Sequence, residues 1–291
     1  VSAAAALLPG NRLHLHHGPI DCICRADGDP ASISRAYEQA IAVFEDLLGE
    51  LCAELGSLRT KLPSPRPRGH VARAMHDAVA PFAGETFITP MAAVAGAVAD
   101  HVLAAMLDGG RNLRLAFVNN GGDIAFHVAP GARFRTGLVT ELAAPALDAF
   151  ITLTRSGGIA TSGRACKGQG GKSVSRGIAD AVTVIAKTGA AADAAATIIA
   201  NAVDLPGHPG VIRRPANSID PDSDLGAMLI TWQLGAISEA DAEAALDAGR
   251  ALSDRLARAG LIEGAVLALR GRMVMSGTVH PEPARRSLEA A

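Results

Sequence analysis

The chain has 291 residues, 49% of them hydrophobic and 19% charged, with a formal net charge of -2. That composition supports a packed core and excludes a disordered chain. Aromatic residues make up only 3% and there is no basic surplus, so the footprint and stacking platforms of a nucleic-acid binder are missing. The core must be assembled from small side chains, alanine above all. A bilayer span needs about 18 to 20 apolar residues, and the longest apolar run here is Met91 to Ala99. The opening stretch to Pro9 lacks the basic start of a signal peptide. Cys22, Cys24, Cys52 and Cys166 show no C-x-x-C spacing, as expected of reduced thiols in a cytoplasmic protein.

In chain order, Leu13 to Cys24 alternates and turns at Gly18-Pro19, which predicts two short strands. Tyr37, Ile41, Phe44, Leu48, Leu51 and Leu55 recur at helical spacing, predicting an amphipathic helix from Ser34 to Leu58. Three prolines between Arg59 and Arg68 forbid helix and mark a linker, whose four basic residues read as a solvated loop. Helices are predicted over Val71 to Ala80 and Ala92 to Leu107, the latter stopped by Gly109-Gly110. Leu113 to Val118 and Ile124 to Val128 form a hairpin around Asn119-Asn120-Gly121-Gly122-Asp123. Strands follow at Phe134 to Val139, Phe150 to Thr154 and Ala181 to Ala186, then a helix over Ala191 to Val203. Gly157 to Gly163 reads as a glycine-rich loop, and Pro206 to Asp224 as a polar connection. A long helix over Glu239 to Ala259 precedes a hairpin turning at Arg270-Gly271-Arg272. Irregular alternation of helices with hairpins favours α+β over a doubly wound parallel sheet. The expected organisation is one domain over 1–281 with a frayed tail over 282–291.

Three stretches could carry chemistry. Asn119 to Asp123 is explained by turn residues that tolerate positive φ, and it would also let backbone N–H groups approach a ligand. Gly157 to Gly163 is followed by Lys167 to Ser173, ending in Gly-Lys-Ser. A phosphate-binding loop with that ending needs a strand before it and a helix after it, whereas a strand is expected here. Ser162 lacks the G-x-S-x-G elbow of a hydrolase. Asp193 and Thr197, four apart on one helix, present two oxygens on one face. That pair suits Mg²⁺ with phosphate and water completing its shell, while the helix dipole alone also favours an early aspartate. His14, His16 and His17 could share a metal only with Asp21, Cys22 or Cys24 across the turn. His208 reads as a loop residue.

These segments carry a resemblance. Val118-Asn119-Asn120-Gly121-Gly122-Asp123-Ile124, Gly158-Ile159-Ala160-Thr161-Ser162-Gly163, Ala181-Val182-Thr183-Val184 and Ala192-Asp193-Ala194-Ala195-Ala196-Thr197 stand in the order seen in the ApbE superfamily. The best-known members of that superfamily are FAD-dependent protein flavinyltransferases. An ApbE-like branch of bacteria and archaea is similar over nearly the whole chain, including Thr89 to Gly96, Gly177 to Thr183 and Asp222 to Gly226.

The resemblance implies an ApbE-like α+β fold, with antiparallel or mixed sheets flanked by alanine-rich helices. It assigns Asp193 and Thr197 to Mg²⁺, with a carbonyl from the Ala93 to Gly96 region, beside the pyrophosphate of FAD or another phosphate-bearing cofactor. Asn119, Asn120, Gly121, Gly122 and Asp123, with Ala160, Thr161, Ser162 and Gly163, would line the cofactor cleft. The transferases carry a His-Ile-Ile-Asp-Pro-like stretch where this chain has Lys172 to Asp180. Ser173 and Ser175 would then touch the cofactor and Asp180 would stand in as the catalytic carboxylate. The missing histidine, and Ala95 in place of the family's lysine, count against protein flavinylation itself. The expected protein is a flavin- or nucleotide-binding, Mg²⁺-assisted transferase-like enzyme. The alternative is a non-catalytic cofactor-binding or accessory protein in one-carbon or sulfur metabolism. A small-molecule cofactor is the expected partner, without nucleic acid or membrane, and a homo-oligomer is compatible with the sequence.

Overall fold

The computed structural model describes residues 2–109, 112–138, 149–163 and 175–283. Fourteen strands and six helices occur among them. The strands are β1 Ala4–Leu8, β2 Arg12–His17, β3 Ile20–Gly28, β4 Leu113–Asn120, β5 Asp123–Val128, β6 Phe134–Leu138 and β7 Ala149–Leu153. They continue with β8 Gly157–Ser162, β9 Ala181–Ala186, β10 Val211–Pro215, β11 Leu229–Leu234, β12 Gly264–Leu269, β13 Arg272–Gly277 and β14 Glu282–Pro283. The helices are α1 Pro30–Ala53, α2 Leu55–Leu58, α3 His70–Val79, α4 Val94–Gly109, α5 Gly189–Ala202 and α6 Glu239–Arg258.

A nine-stranded sheet in the order β1-β2-β3-β4-β5-β8-β9-β12-β13 is antiparallel at every pairing. The α+β class read from the sequence is what forms. Alternation in β2 and β3 turns Leu13, Leu15, Ile20, Cys22 and Cys24 inward, against the α1 face of Tyr37, Phe44, Leu47 and Leu51. The central strands β9 and β12 are buried along their whole lengths. Their second face is covered by the small sheet β14-β7-β6, whose cluster joins Ile151 to Phe126, Ile159, Ile185 and Val266. Phe134 on β6 stacks on Phe126 with ring centroids 4.9 Å apart.

The alanine and glycine content has its reason where α4, α5 and β8 meet. A Cβ on Gly96 would lie 2.2 Å from the Gly189 carbonyl oxygen, and one on Gly158 would lie 2.2 Å from the Gly189 nitrogen. Only glycine allows three backbones to close to that distance. The Ala194, Ala195 and Ala196 side chains of α5 are fully buried in the same layer. Gly157 to Ser162 is therefore a strand rather than the expected loop, because its glycines mark close backbone approach instead of a turn.

Four other expectations change. Residues 206–224 include the edge strand β10, paired with β11 across a bulge. The stretch Pro90–Gly109 is 20 residues long and, by length and composition, apolar and long enough to cross a membrane. In the fold it packs against α1, α5 and β4 and carries Asp100, whose carboxylate accepts from Gly189 N and Ala190 N at 2.7 and 2.8 Å. The proline-rich stretch is a connection within the domain, held by Glu54, which accepts from Arg68 N and Gly69 N at 2.7 and 2.6 Å. Glu282 and Pro283 pair with β7, while residues 284–291 of the expected tail lie outside the described residues.

Helix α6 begins at a capping box: Ser238 accepts from Asp241 N, and Asp241 from Ser238 N. Ser238→Ala is expected to cost about 1 kcal/mol, read as a lower urea midpoint at unchanged slope. An unchanged midpoint would mean that tertiary packing alone holds this terminus.

Candidate functional site

The antiparallel registers bring several predicted residues to one end of the large sheet. That end carries the β4–β5 turn, the close of β8 and the start of β9. Gly121 and Gly122 occupy the turn with φ of 63° and 112°, the pair of positive values a type I′ hairpin needs. Asn119 Oδ1 accepts from Gly122 N at 2.8 Å, so that asparagine serves the turn itself. Asn120 is buried and bridges two elements: Oδ1 accepts from Asp21 N at 3.3 Å, and Nδ2 donates to the Ala95 carbonyl at 3.2 Å.

Asp123 on β5 and Asp193 on α5 come close enough for their charges to act on one another. Asp123 Oδ1 accepts from Thr161 N at 3.1 Å. Asp193 Oδ2 accepts from Gly96 N at 3.1 Å, at the start of α4. Desolvation pushes the Asp123 carboxyl up to about 7. Asp193 is pushed well above the usual carboxylate range, by desolvation first and then by the charge of Asp123, with Asp100 adding to it. The acting charges are all negative. Asp193 and Asp100 also form a reciprocal pair of caps, each satisfying backbone N–H groups at the start of the other's helix. Thr197 lies one turn beyond Asp193 on the same face of α5, partly buried.

Of the remaining predicted residues, Thr161 and Ser162 lie at the same end, at the close of β8. Ala160 is fully buried in the core. Thr161 Oγ1 is 2.9 Å from Thr183 Oγ1 across the strands. Ser162 is partly buried at the end of β8, and Gly163 follows with φ of 128°. A Cβ on Gly163 would lie 2.7 Å from the Asp180 carbonyl oxygen, so the two backbones pack closely there. Ser173 lies outside the described residues. Ser175 is buried, and its Oγ accepts from Gly177 N at 3.2 Å in a local turn.

Asp180, expected to be catalytic, accepts from Arg270 N at 2.6 Å in the β12–β13 turn through Oδ2. Arg270 has a φ of 53°, and its guanidinium donates to the Leu234 and Gly235 carbonyls at 3.0 and 2.7 Å. The carboxylate thus secures a left-handed non-glycine residue. Asp180→Ala is expected to lower stability by about 1 kcal/mol, measured by urea unfolding, without changing nucleotide affinity. A selective loss of affinity at unchanged stability would place Asp180 at the cofactor.

Cys22 and Cys24 are buried, and burial pushes the Cys24 thiol up to about 12 and the Cys22 thiol higher still. Such thiols are inert. His14 Nε2 and His16 Nδ1 lie 3.1 and 3.5 Å from Asp21. Among the described residues no group of three His, Cys, Asp or Glu side chains is placed to hold a metal. A two-carboxylate Mg²⁺ site is compatible with that, since Mg²⁺ retains waters and takes substrate phosphates. The sequence placed Asp123 among the cleft residues but not beside Asp193, and it gave no sign of Asp100; no local pattern pairs either with Asp193.

The fold is that of the ApbE proteins. It is similar to the Flavin Transferase ApbE from Vibrio cholerae, with a TM-score of 0.53 at 12% identity, covering 94% of this chain and 97% of that one. At that identity the likeness shows the fold alone. Residues 4–275 match the family model described as AbpE bacteria, and the chain belongs to that family.

In sequence it is similar to a UPF0280 protein of Archaeoglobus fulgidus, 38% identical over 119 residues, covering 40% of this chain and 45% of the relative. A UPF0280 protein of Methanothrix thermoacetophila is 34% identical over 145 residues, covering 49% and 56%. The chain spans about half the length of the curated relatives it matches.

Proposed function

We propose that this protein binds a phosphate-bearing cofactor, a flavin or other nucleotide of the FAD type, through Mg²⁺, and acts on it as a transferase-like enzyme. One arrangement carries the reading: Asp123, held by Thr161 N, and Asp193, held by Gly96 N, come together with only negative charges acting on Asp193. Two such carboxylates stay ionised together only if a cation joins them. The donor set fits Mg²⁺, being all oxygen: Asp193, Asp123, the Thr197 hydroxyl and the neighbouring Ala95 carbonyl. A bound Mg²⁺ would supply charge neutralisation to a pyrophosphate. The chain's own part is positional. Asn120 ties the β4–β5 turn to α4, and Thr161 N–H holds Asp123 in its rotamer. The name of the Vibrio cholerae neighbour supports a flavin as the nucleotide.

The commitment of Asp180 to the β12–β13 turn favours a second reading, in which the cofactor is held without being turned over. Calorimetric titration of ADP and FAD, with Mg²⁺ or with chelator, tests the first reading. Saturable binding that depends on Mg²⁺ is expected, and equal affinity in chelator would overturn it. Release of FMN and AMP from FAD under Mg²⁺ separates enzyme from holder.

A further inference from the structure

Between α5, α6, the β10–β11 hairpin and the segment after α3 lies a cleft of about 830 Å³, which none of Asp123, Asp193 and Thr197 lines. We propose that this cleft binds a small organic anion, an apolar body ending in a carboxylate or phosphate, with Arg176 as the anchoring cation. The volume falls within the range of about 300 to 1,000 Å³ common for ligand pockets. Phe82, Ile198, Leu252 and Met228 give it an apolar wall.

The charges lining it do not cancel. Arg255 is bound in bidentate fashion by Glu85 at 2.6 and 2.5 Å, and Arg213 is bound by Asp204 at 2.5 Å. Those two pairs consume both carboxylates of the lining and leave Arg176 as the surplus charge. Among the described residues its guanidinium has no ion-pair or hydrogen-bond partner, although its backbone is fixed on both sides. Arg176 N donates to Asn201 Oδ1 at 3.0 Å, and the Arg176 carbonyl accepts from Arg213 at 2.5 Å and from Thr231 Oγ1 at 3.1 Å.

The same contacts orient a second donor. Because Asn201 Oδ1 must face the Arg176 N–H, its Nδ2 is the end left over, and among the described residues it has no partner. A planar guanidinium and an amide N–H₂ in one cleft are the donors that carboxylates and phosphates accept from. A cation or a neutral sugar would leave Arg176 uncompensated.

Phenyl phosphate and hexanoate are suitable probes, with inorganic phosphate and hexanol as the head and body alone. Isothermal titration of the wild-type protein should show saturable binding of at least one complete probe, tighter than either half. Arg176→Gln should weaken it by at least about tenfold, while Arg258→Gln, an exposed change of the same charge at the end of α6, should stay within about twofold. Arg176→Lys should recover part of the loss, and melting curves of each variant establish that it is folded. Asp193→Asn should leave probe binding intact. The inference fails if no probe saturates the wild type, if Arg176→Gln binds like wild type, or if Asp193→Asn abolishes binding and makes the cleft part of the cofactor site.

Discussion

Replacing Asp193 with Asn is expected to weaken Mg²⁺-dependent nucleotide binding by about 2 to 4 kcal/mol, the scale of removing one member of a desolvated charge pair. The fold should survive. Asparagine keeps an Oδ1 that can still accept from Gly96 N, and it removes a charge that Asp123 and Asp100 oppose. Helix α5 tolerates the change at a propensity cost well under about 1 kcal/mol. Thr197→Val should cost less than Asp193→Asn, because a neutral hydroxyl contributes less to a cation than a carboxylate does. Titrating ADP into wild type and both variants, with Mg²⁺ and with chelator, reads the result directly. If the Mg²⁺-dependent affinity is the same in all three, Asp193 serves only as the cap of α4, and the proposed function loses its main support.

In chelator, stability should fall as pH rises from about 4 to 7. Desolvation raises Asp123 from 3.8 to about 7 and Asp100 from 3.8 to about 6, and Asp193 moves in the same direction. Across that window the unfolded chain has released these protons while the folded chain keeps them. The slope of unfolding free energy with pH is then negative, by at most about 1.4 kcal/mol per pH unit for each proton retained. Above the folded pKa values the loss is complete and the curve flattens.

Carboxylates held low by hydrogen bonds and arginines, among them Glu54, Asp77 and Glu85, act in the opposite sense. Their contribution is lost as the pH falls below about 4, so the two effects occupy separate windows. Mg²⁺ should stabilise the protein more at pH 7.5 than at pH 5, because it compensates only ionised carboxylates. Melting temperatures against pH, with and without Mg²⁺, check this in wild type and in Asp123→Asn. A flat profile in chelator, or an Mg²⁺ effect independent of pH, would show that these carboxyls are not a desolvated, mutually repelling pair.

The local pattern was enough for what is local. The 3.6-residue recurrence from Tyr37 to Leu51 placed α1, but its start came late, since Asp29 caps the helix before Pro30. Two glycines between alternating strands placed the β4–β5 turn, and Arg270-Gly271 placed the last hairpin. The order of the Asn-Gly-Gly-Asp, Ala-Thr-Ser-Gly and Asp-x-x-x-Thr segments was enough to point to the fold family. Glycine, however, has two meanings that composition does not separate. At Gly121 and Gly122 it supplies positive φ. At Gly158 it leaves room for the start of α5, and there the loop expected from sequence is a strand.

The candidate site was only half legible for a related reason. Asp193 and Thr197 share a helix face by spacing alone, and that much is written in the chain. That Asp123 lies against Asp193 depends on the β5–β8 register and on how closely α5 packs over it, which the alanines and Gly96 permit. The same holds for Asp180, a lone carboxylate in sequence and the anchor of a turn ninety residues away in the fold. It holds again for Arg176, whose surplus charge exists only because Glu85 and Asp204 are spent on other arginines. Helix and strand periods act over a few residues and can be read one residue at a time. Desolvation, repulsion between carboxylates and the balance of ion pairs are properties of groups brought together from distant segments, and they came into being with the tertiary structure.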